Sequence, residues 1–93
     1  MNLVDGAAFT FYPNGQQRSQ HIYRDGKPHG AYKVWRPDGS LAHENWFDAG
    51  LPNGLQKQYY QNGNVKSITR FFSGRVASHI EYDERGLKVI DRR

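Results

Sequence analysis

A chain of 93 residues is long enough for one small domain, and its 13 basic and 9 acidic residues leave a net charge of +4. Aromatic residues make up 14% of the chain, so it can bury apolar area and does not have the composition of a disordered polymer. The absence of cysteine excludes a disulfide scaffold and thiolate metal sites, and no apolar run approaches the ~18 residues of a transmembrane helix.

The first residues of the chain, 1–5, contain neither a basic region nor an apolar stretch. We therefore expect no signal peptide and a cytoplasmic location.

Glycine recurs along the chain with a period of 24 residues. The three interleaved series are Gly6, Gly30, Gly54; Gly15, Gly39, Gly63, with Gly86 following after 23; and Gly26, Gly50, Gly74. A fixed period of this length is typical of repeat proteins, whose terminal units are often degenerate. We predict a single repeat domain over 1–93, with units at about 6–29, 30–53 and 54–76. The degenerate cap is 77–93, in which Ala77 stands where glycine is expected.

Each unit has two stretches of alternating character on either side of a glycine turn such as Pro37-Asp38-Gly39, which predicts a β-hairpin. Proline before the turn favours a type I turn whose glycine forms a bulge. The cross-strand pairs that follow are Arg36 with Ser40, Trp35 with Leu41, Val34 with Ala42, and Tyr32 with Glu44. The junctions 25–30 and 49–54 are predicted to be loops, and no stretch favours a helix. The predicted fold is all-β, a single-layer antiparallel meander of tandem β-hairpins with roughly seven or eight strands.

Strand alternation predicts which residues form the core. The aromatic residues recur in two columns, Phe11, Trp35, Tyr59 and Tyr82, and Tyr23, Phe47 and Phe71. Alternation places one set of apolar residues on a single face: Phe9, Phe11, Ala31, Trp35, Leu41, Phe47, Leu55, Tyr59, Val65, Phe71, Ile80 and Tyr82. Each large side chain there could contribute about 1.5–3 kcal/mol if fully buried, so we predict that this face is the core. The opposite face mixes aromatic and charged residues, with Ile22 and Tyr32 as cross-strand neighbours.

The pattern Gly30-x-Tyr32-x-x-Trp35-x-Pro37-Asp38-Gly39-x-Leu41-x-x-Glu44-x-x-Phe47-x-x-Gly50-x-x-x-Gly54 resembles the MORN-repeat variant of many small bacterial proteins. The resemblance extends from about Gly6 to Gly86. It implies a hairpin array that binds a partner and has no catalytic centre. Many bacterial proteins of this kind are labelled antitoxins of the YwqK family, and some resemble immunity proteins. Other MORN proteins are proposed to bind phosphoinositide lipids or to act as assembly scaffolds.

The residues themselves do not point to catalysis or to a cofactor. The four histidines occupy different repeat positions without zinc-ligand spacing, and no Gly-x-Ser-x-Gly motif occurs. Ser78 and His79 are adjacent, so in a strand they point to opposite faces. We predict that the chain is not an enzyme and binds neither metal nor cofactor.

We predict a protein partner, a toxin or effector whose active surface the chain occludes. The predicted contacts lie on the mixed face because tyrosine, tryptophan and arginine are enriched in interface hot spots. They are Tyr32, Arg36, Trp46, Tyr60, Arg70 and Phe72. The alternative is a scaffold or a phospholipid- or nucleic-acid-associated repeat protein. An anionic lipid surface suits the basic residues, whereas dispersed charge disfavours nucleic acid.

The strand at 87–91 is apolar in alternation and is expected at an edge of the sheet. Such a strand can pair with a second copy of the chain or with a partner. Lys88, Arg92 and Arg93 can instead guard it against pairing. Both interpretations use the same residues.

Overall fold

A computed structural model describes residues 5–92 of the chain. Residues 1–4, most of the segment on which the signal-peptide expectation rests, and the proposed guard residue Arg93 lie outside this range. The described chain contains no helix and forms one open antiparallel sheet, which confirms the predicted fold class. The strands are β1 (Gly6–Phe11), β2 (Gln17–Arg24), β3 (Lys27–Pro28), β4 (Gly30–Trp35), β5 (Leu41–Asp48), β6 (Leu51–Pro52), β7 (Gly54–Tyr59), β8 (Val65–Phe72), β9 (Arg75–Tyr82) and β10 (Lys88–Arg92).

The sheet is a meander in which each long strand pairs with its neighbours in the chain. The order is β1-β2-β4-β5-β7-β8-β9-β10, while the short strands β3 and β6 pair back onto β2 and β5. The molecule measures 48 × 36 × 11 Å, so it is one sheet thick. A single layer leaves both of its faces without a covering layer.

The four hairpin turns have the same geometry, as predicted. In the second turn the Arg36 amide donates to the Ser40 carbonyl (2.8 Å), and the Gly39 amide donates to the Arg36 carbonyl (2.9 Å). Gly39 has a φ of +91°, which a side chain would strain. This is a type I turn followed by a glycine bulge. The other three turns repeat both hydrogen bonds, and Gly15, Gly63 and Gly86 adopt the same φ region.

A second bulge follows each turn, and it makes part of the predicted register wrong. Trp35 pairs with Leu41 as expected, but Val34 pairs with His43 and Tyr32 with Asn45. Ala42 is therefore an extra residue in its strand. Arg18, Lys66 and Val89 are extra residues at the corresponding places of the other hairpins. Since alternation has a period of two, one extra residue moves every later side chain to the other face.

The bulges place the two aromatic columns on opposite faces. Residues directly opposite each other in an antiparallel pair share a face, so the register assigns the two sides. The tryptophan face carries Phe9, Phe11, Ile22, Arg24, Lys33, Trp35, Glu44, Trp46, Asp48, Leu55, Lys57, Tyr59, Ile68, Arg70, Phe72, Arg75, Ile80 and Tyr82. The histidine face carries Thr10, Ser19, His21, Tyr23, Tyr32, Val34, His43, Phe47, Ser67, Thr69, Phe71, His79 and Glu81.

The predicted core is also wrong. Within residues 5–92 no apolar side chain is buried, and the two buried residues there are Ser19 and Ser67. Phe11, assigned to the core from the sequence, is 59% exposed. The predicted columns do not form one core because they lie on the two sides of an uncovered sheet.

The junctions between units are more ordered than the predicted loops. Asp25-Gly26 and Ala49-Gly50 both have positive φ, as in a two-residue type I′ turn. These turns return the chain into β3 and β6. The strand that follows opens on Gly30 or Gly54, again with positive φ, and pairs with the previous unit through two residues.

Side chains connect one unit to the next along the turn edge, the side of the sheet that carries the four hairpin turns. The Tyr12 hydroxyl donates to the Trp35 carbonyl (2.7 Å), Arg36 donates to the Tyr59 carbonyl (2.5 Å), and the Tyr60 hydroxyl donates to the Tyr82 carbonyl (2.8 Å). Each donor is the first residue of its turn, and each acceptor is the last residue of a strand in the next unit.

Candidate binding surface

The tryptophan face exposes large apolar side chains. Trp46 is 45% exposed and Phe72 is 74% exposed, and Phe9 and Phe11 are also exposed at the β1 end. Exposed aromatic residues scattered singly are ordinary, but here several occur on one face of one sheet. Such a surface is typical of an interaction site.

Charged side chains on the tryptophan face are predominantly basic. Lys33 pairs with Glu44 (3.5 Å), and Asp48 lies 3.6 Å from His29. The other cations of this face have no ion pair within residues 5–92; they are Arg24, Lys57, Arg70 and Arg75. The face therefore presents apolar rings beside unpaired positive charge.

The structure distributes the six predicted contact residues over three places. Trp46, Arg70 and Phe72 share the tryptophan face, on β5 and β8. Arg36 and Tyr60 lie in the turn edge, where each is half-buried and hydrogen-bonded to the next unit.

Tyr32 lies on the histidine face, so its predicted place on the same face as Trp46 is wrong. The predicted neighbours Ile22 and Tyr32 likewise lie on opposite faces. The role of the six residues in contacting a partner stays a prediction.

Side chains on the histidine face pack against one another and form hydrogen bonds with one another. The Tyr32 ring packs edge-on against His21 with a centroid distance of 4.2 Å, and it also contacts His43 and Phe47. Ser19 bonds to the His21 ring (2.9 Å) and to Thr10. These aromatic residues are half-buried against one another. The exposed large apolar side chain that the register places on this face is Val76, opposite Phe71, whereas the tryptophan face exposes Phe9, Phe11, Trp46 and Phe72.

One arrangement on the histidine face was not found from the sequence. The Thr69 hydroxyl lies 2.6 Å from His79 Nδ1, and His79 Nε2 lies 3.0 Å from Glu81. A hydroxyl, an imidazole and a carboxylate in line have the order of a nucleophile, a base and an orienting acid. Thr69 lies opposite His79 because Ala77 is an extra residue in β9, whereas regular pairing across the turn at Ser73-Gly74 would place Thr69 opposite Ser78. The sequence argument tested only Ser78 with His79.

The geometry around this line does not resemble that of a hydrolytic site. Thr69 and His79 are direct cross-strand partners on the open surface of two interior strands. Amide groups of interior strands are used by the sheet's own ladders, so they do not converge on a developing oxyanion. Within the described chain no group of three or more His, Cys, Asp or Glu side chains could hold a metal ion. Residues 5–92 also contain no helix that could span a membrane.

The repeat pattern has a counterpart among known families. Two segments of the chain, residues 4–25 and 52–73, match the MORN repeat variant. The two matches begin at residues 4 and 52, 48 positions apart, which is twice the 24-residue glycine period. No curated protein and no solved structure matches the chain.

The MORN variant segments coincide with two hairpins of the sheet. The first covers β1 and β2, and the second covers β7 and β8. The intervening hairpin of β4 and β5 has the same turn hydrogen bonds and the same second bulge. The middle hairpin is therefore built like the two hairpins that match the MORN repeat variant.

The environment of these hairpins shifts the pKa of four ionisable groups, of which Asp83 lies in the last turn, where backbone hydrogen bonds lower its pKa. Burial, aided by the positive charge of Arg36, lowers the pKa of His43. Burial, aided by the Glu44 carboxylate, raises the pKa of Tyr59. Hydrogen bonds from the Ser40 hydroxyl and amide, and from Gln61, lower the pKa of Asp38 to about 2. Asp38 is thus a charged acceptor within the turn edge.

Proposed function

We propose that this chain is a non-catalytic protein-binding module and that the tryptophan face is its contact surface. The observation that carries the proposal is the uncovered layer: within residues 5–92 no apolar side chain is buried, while Trp46 and Phe72 are exposed on one face. Covering apolar surface is worth about 25 cal/mol per Å², so a partner gains free energy by covering these rings.

The charge of the face indicates the chemistry of the partner. Arg70 and Arg75 have no ion pair within the described residues, and they lie on the same face as Phe72. A partner surface that combines apolar side chains with carboxylates complements both features. The sheet measures 48 × 36 Å across, more than the ~800 Å² per partner of a standard interface requires.

The specific form of this proposal is a bacterial antitoxin or immunity protein that acts in the cytoplasm. Its mechanism is steric: the sheet lies over the active surface of a toxin and excludes the substrate. The support for this form is the resemblance to small bacterial MORN variant proteins, together with the chemistry of the tryptophan face.

Capture followed by quantitative binding tests the proposal. The chain is immobilised, bound proteins are recovered from the lysate of the source organism, and the recovered protein is titrated against variants. Trp46→Ala should weaken binding by ~2 kcal/mol or more, a loss of about 30-fold. Gln58→Ala is the matched control, since Gln58 is an exposed residue paired with His43 on the histidine face. Equal effects of the two variants would remove the tryptophan face as the contact surface.

Co-expression tests the antitoxin form separately. The captured protein alone should arrest growth, the wild-type chain should restore growth, and Trp46→Ala should restore it less well. A captured protein that does not impair growth leaves a binding module without an antitoxin role.

The exposed Phe72 beside Arg70 and Arg75 also favours an alternative, the surface of an anionic lipid bilayer. Vesicles containing phosphatidylserine, and a single-stranded oligonucleotide as a second probe, distinguish it. Binding that is lost as salt increases, with no protein captured, would replace the protein-binding proposal by this alternative.

A further inference from the structure

The two ends of the sheet differ in chemistry. Strand β1, from Gly6 to Phe11, contains no charged residue. Strand β10 carries Lys88, Asp91 and Arg92, and it also contains the extra residue of the last bulge. Charged side chains and bulges are the features that protect a sheet edge from pairing. The β10 edge has both a bulge and charged side chains, whereas β1 has no charged residue.

The side-chain hydrogen bonds along the turn edge form a ladder that runs in one direction, from each unit to the next. Its donors are the first residues of the first three turns, and the corresponding residue of the fourth turn is Asp83. The Asp83 carboxylate accepts hydrogen bonds from the Arg85 and Leu87 amides of its own turn (2.9 and 3.0 Å). A carboxylate cannot donate to another carbonyl. The ladder therefore ends at Asp83, and a further unit beyond β10 would receive no such bond.

We infer that β1 pairs antiparallel with β1 of a second copy of this chain and that the product is a closed dimer. Opposite residues in an antiparallel pair must share a face, so the two-fold axis passes through a residue and not between two residues. Centring the pair on Phe9 places Phe9 against its own copy and Ala7 against Phe11, all on the tryptophan face. The small alanine leaves room for the large phenylalanine, and Ala8 faces Thr10 on the other side.

A second copy is the occupant that these features favour. An uncharged strand gives no electrostatic preference for a partner of opposite charge, and its alternation of small and aromatic residues is complementary to itself. Phe9 and Phe11 are 52% and 59% exposed, and the pairing covers both. Because the β10 edge is protected, the assembly stops at two chains and does not continue as a filament. The dimer extends the tryptophan face across the two-fold axis.

Sedimentation velocity of the purified full chain over a concentration series tests the dimer. The wild-type chain should shift with concentration from 10.7 kDa towards twice that mass. Phe9→Glu and Phe9→Lys should each weaken dimerisation by about tenfold or more, because each loses the aromatic pair and places like charges opposite each other. An equimolar mixture of the two variants should dimerise again, since Glu then faces Lys. This recovery also shows that both variants fold.

Val89→Glu on β10 is the matched control. Val89 is 60% exposed, compared with 52% for Phe9, and it occupies the other edge of the sheet. This variant should dimerise like the wild type. A chain that stays monomeric at all soluble concentrations would overturn the inference. So would a dimer that Val89→Glu disrupts and Phe9→Glu does not, or a Glu and Lys mixture that stays monomeric.

Discussion

The two faces of this sheet share one set of backbone hydrogen bonds but differ in how their side chains are satisfied. On the histidine face, the rings of His21, Tyr32 and His43 pack on one another, and hydroxyl groups bond to the imidazoles. On the tryptophan face, Trp46 and Phe72 remain exposed among cations that form no ion pair within residues 5–92. In a one-layer protein, one face can thus supply lateral packing while the other remains available to a partner.

The bulges cause this difference. Without an extra residue after each turn, Phe47 would share a face with Trp35, and Trp46 would share a face with Tyr32. One inserted position in each hairpin instead separates the histidines and their aromatic neighbours from the tryptophans.

The largest change in stability is expected when single residues are deleted from β5. Removing Glu44 shifts the remainder of the strand by one position, so Trp46 and Phe47 exchange faces and Lys33 loses its ion-pair partner. We expect a loss of about 3 kcal/mol or more, a large share of the stability of a small domain. Removing the bulge residue Ala42 keeps His43 opposite Val34, so this deletion should cost clearly less. Urea unfolding followed by circular dichroism measures both; equal costs would contradict the assigned role of the bulge.

Removing one aromatic ring from each face should show that a packed ring contributes more to the unfolding free energy than an exposed ring. Tyr32→Ala removes three ring contacts from a half-buried site, and we expect a loss of about 2 kcal/mol of unfolding free energy. Phe72→Ala should change the stability by no more than about 0.5 kcal/mol, since its side chain is largely exposed. Denaturant midpoints at unchanged slope give both values. A Phe72→Ala cost as large as that of Tyr32→Ala would mean that the two faces do not differ in this way.

The stability should depend on pH through His43. Its pKa is lowered in the folded chain by burial and by the charge of Arg36, so the unfolded chain binds the proton more readily. The contribution of His43 is then complete above its ordinary pKa of about 6.5 and is lost as the pH falls through the lower folded value. Thermal unfolding between pH 8 and pH 5 should show a smaller loss for His43→Gln than for the wild type. The other three histidines remain in the variant, and identical pH profiles would contradict the assignment.

The smallest change in stability is expected for a substitution in the turn edge. Asp38→Asn keeps the oxygen that accepts the Ser40 amide, as Asn14 and Asn62 do in the neighbouring turns. At neutral pH we expect little change. Because the folded pKa of Asp38 is about 2, the wild type keeps this contribution above its ordinary pKa of 3.8 and loses it as the pH falls towards 2. The variant should lose less stability on acidification from pH 5 to pH 2, and an equal loss in both chains would show that Asp38 does not contribute.

The predictable part of the site is the part that depends on residue type. Trp46, Arg70 and Phe72 were selected as aromatic and basic residues of one strand parity, and the structure places them on one exposed face. Tyr32 was selected by the same parity, but it precedes the bulge at Ala42 while Trp46 follows it. The line of Thr69, His79 and Glu81 was missed because it depends on the pairing of β8 with β9, in which Ala77 is an extra residue.

The sequence alone determined the hairpin array, its 24-residue period and the type of its turns. These features are local: a glycine that can adopt positive φ favours a tight turn wherever it stands, and an asparagine or aspartate precedes that glycine in three of the four hairpin turns. The tertiary structure decided the second bulge, the composition of the two faces and the connections along the turn edge. The extra residues Arg18, Ala42, Lys66 and Val89 have no chemical property in common, so no local pattern marks them. Their position follows from the pairing of complete strands, because the register of a strand decides which face of the sheet all of its side chains occupy.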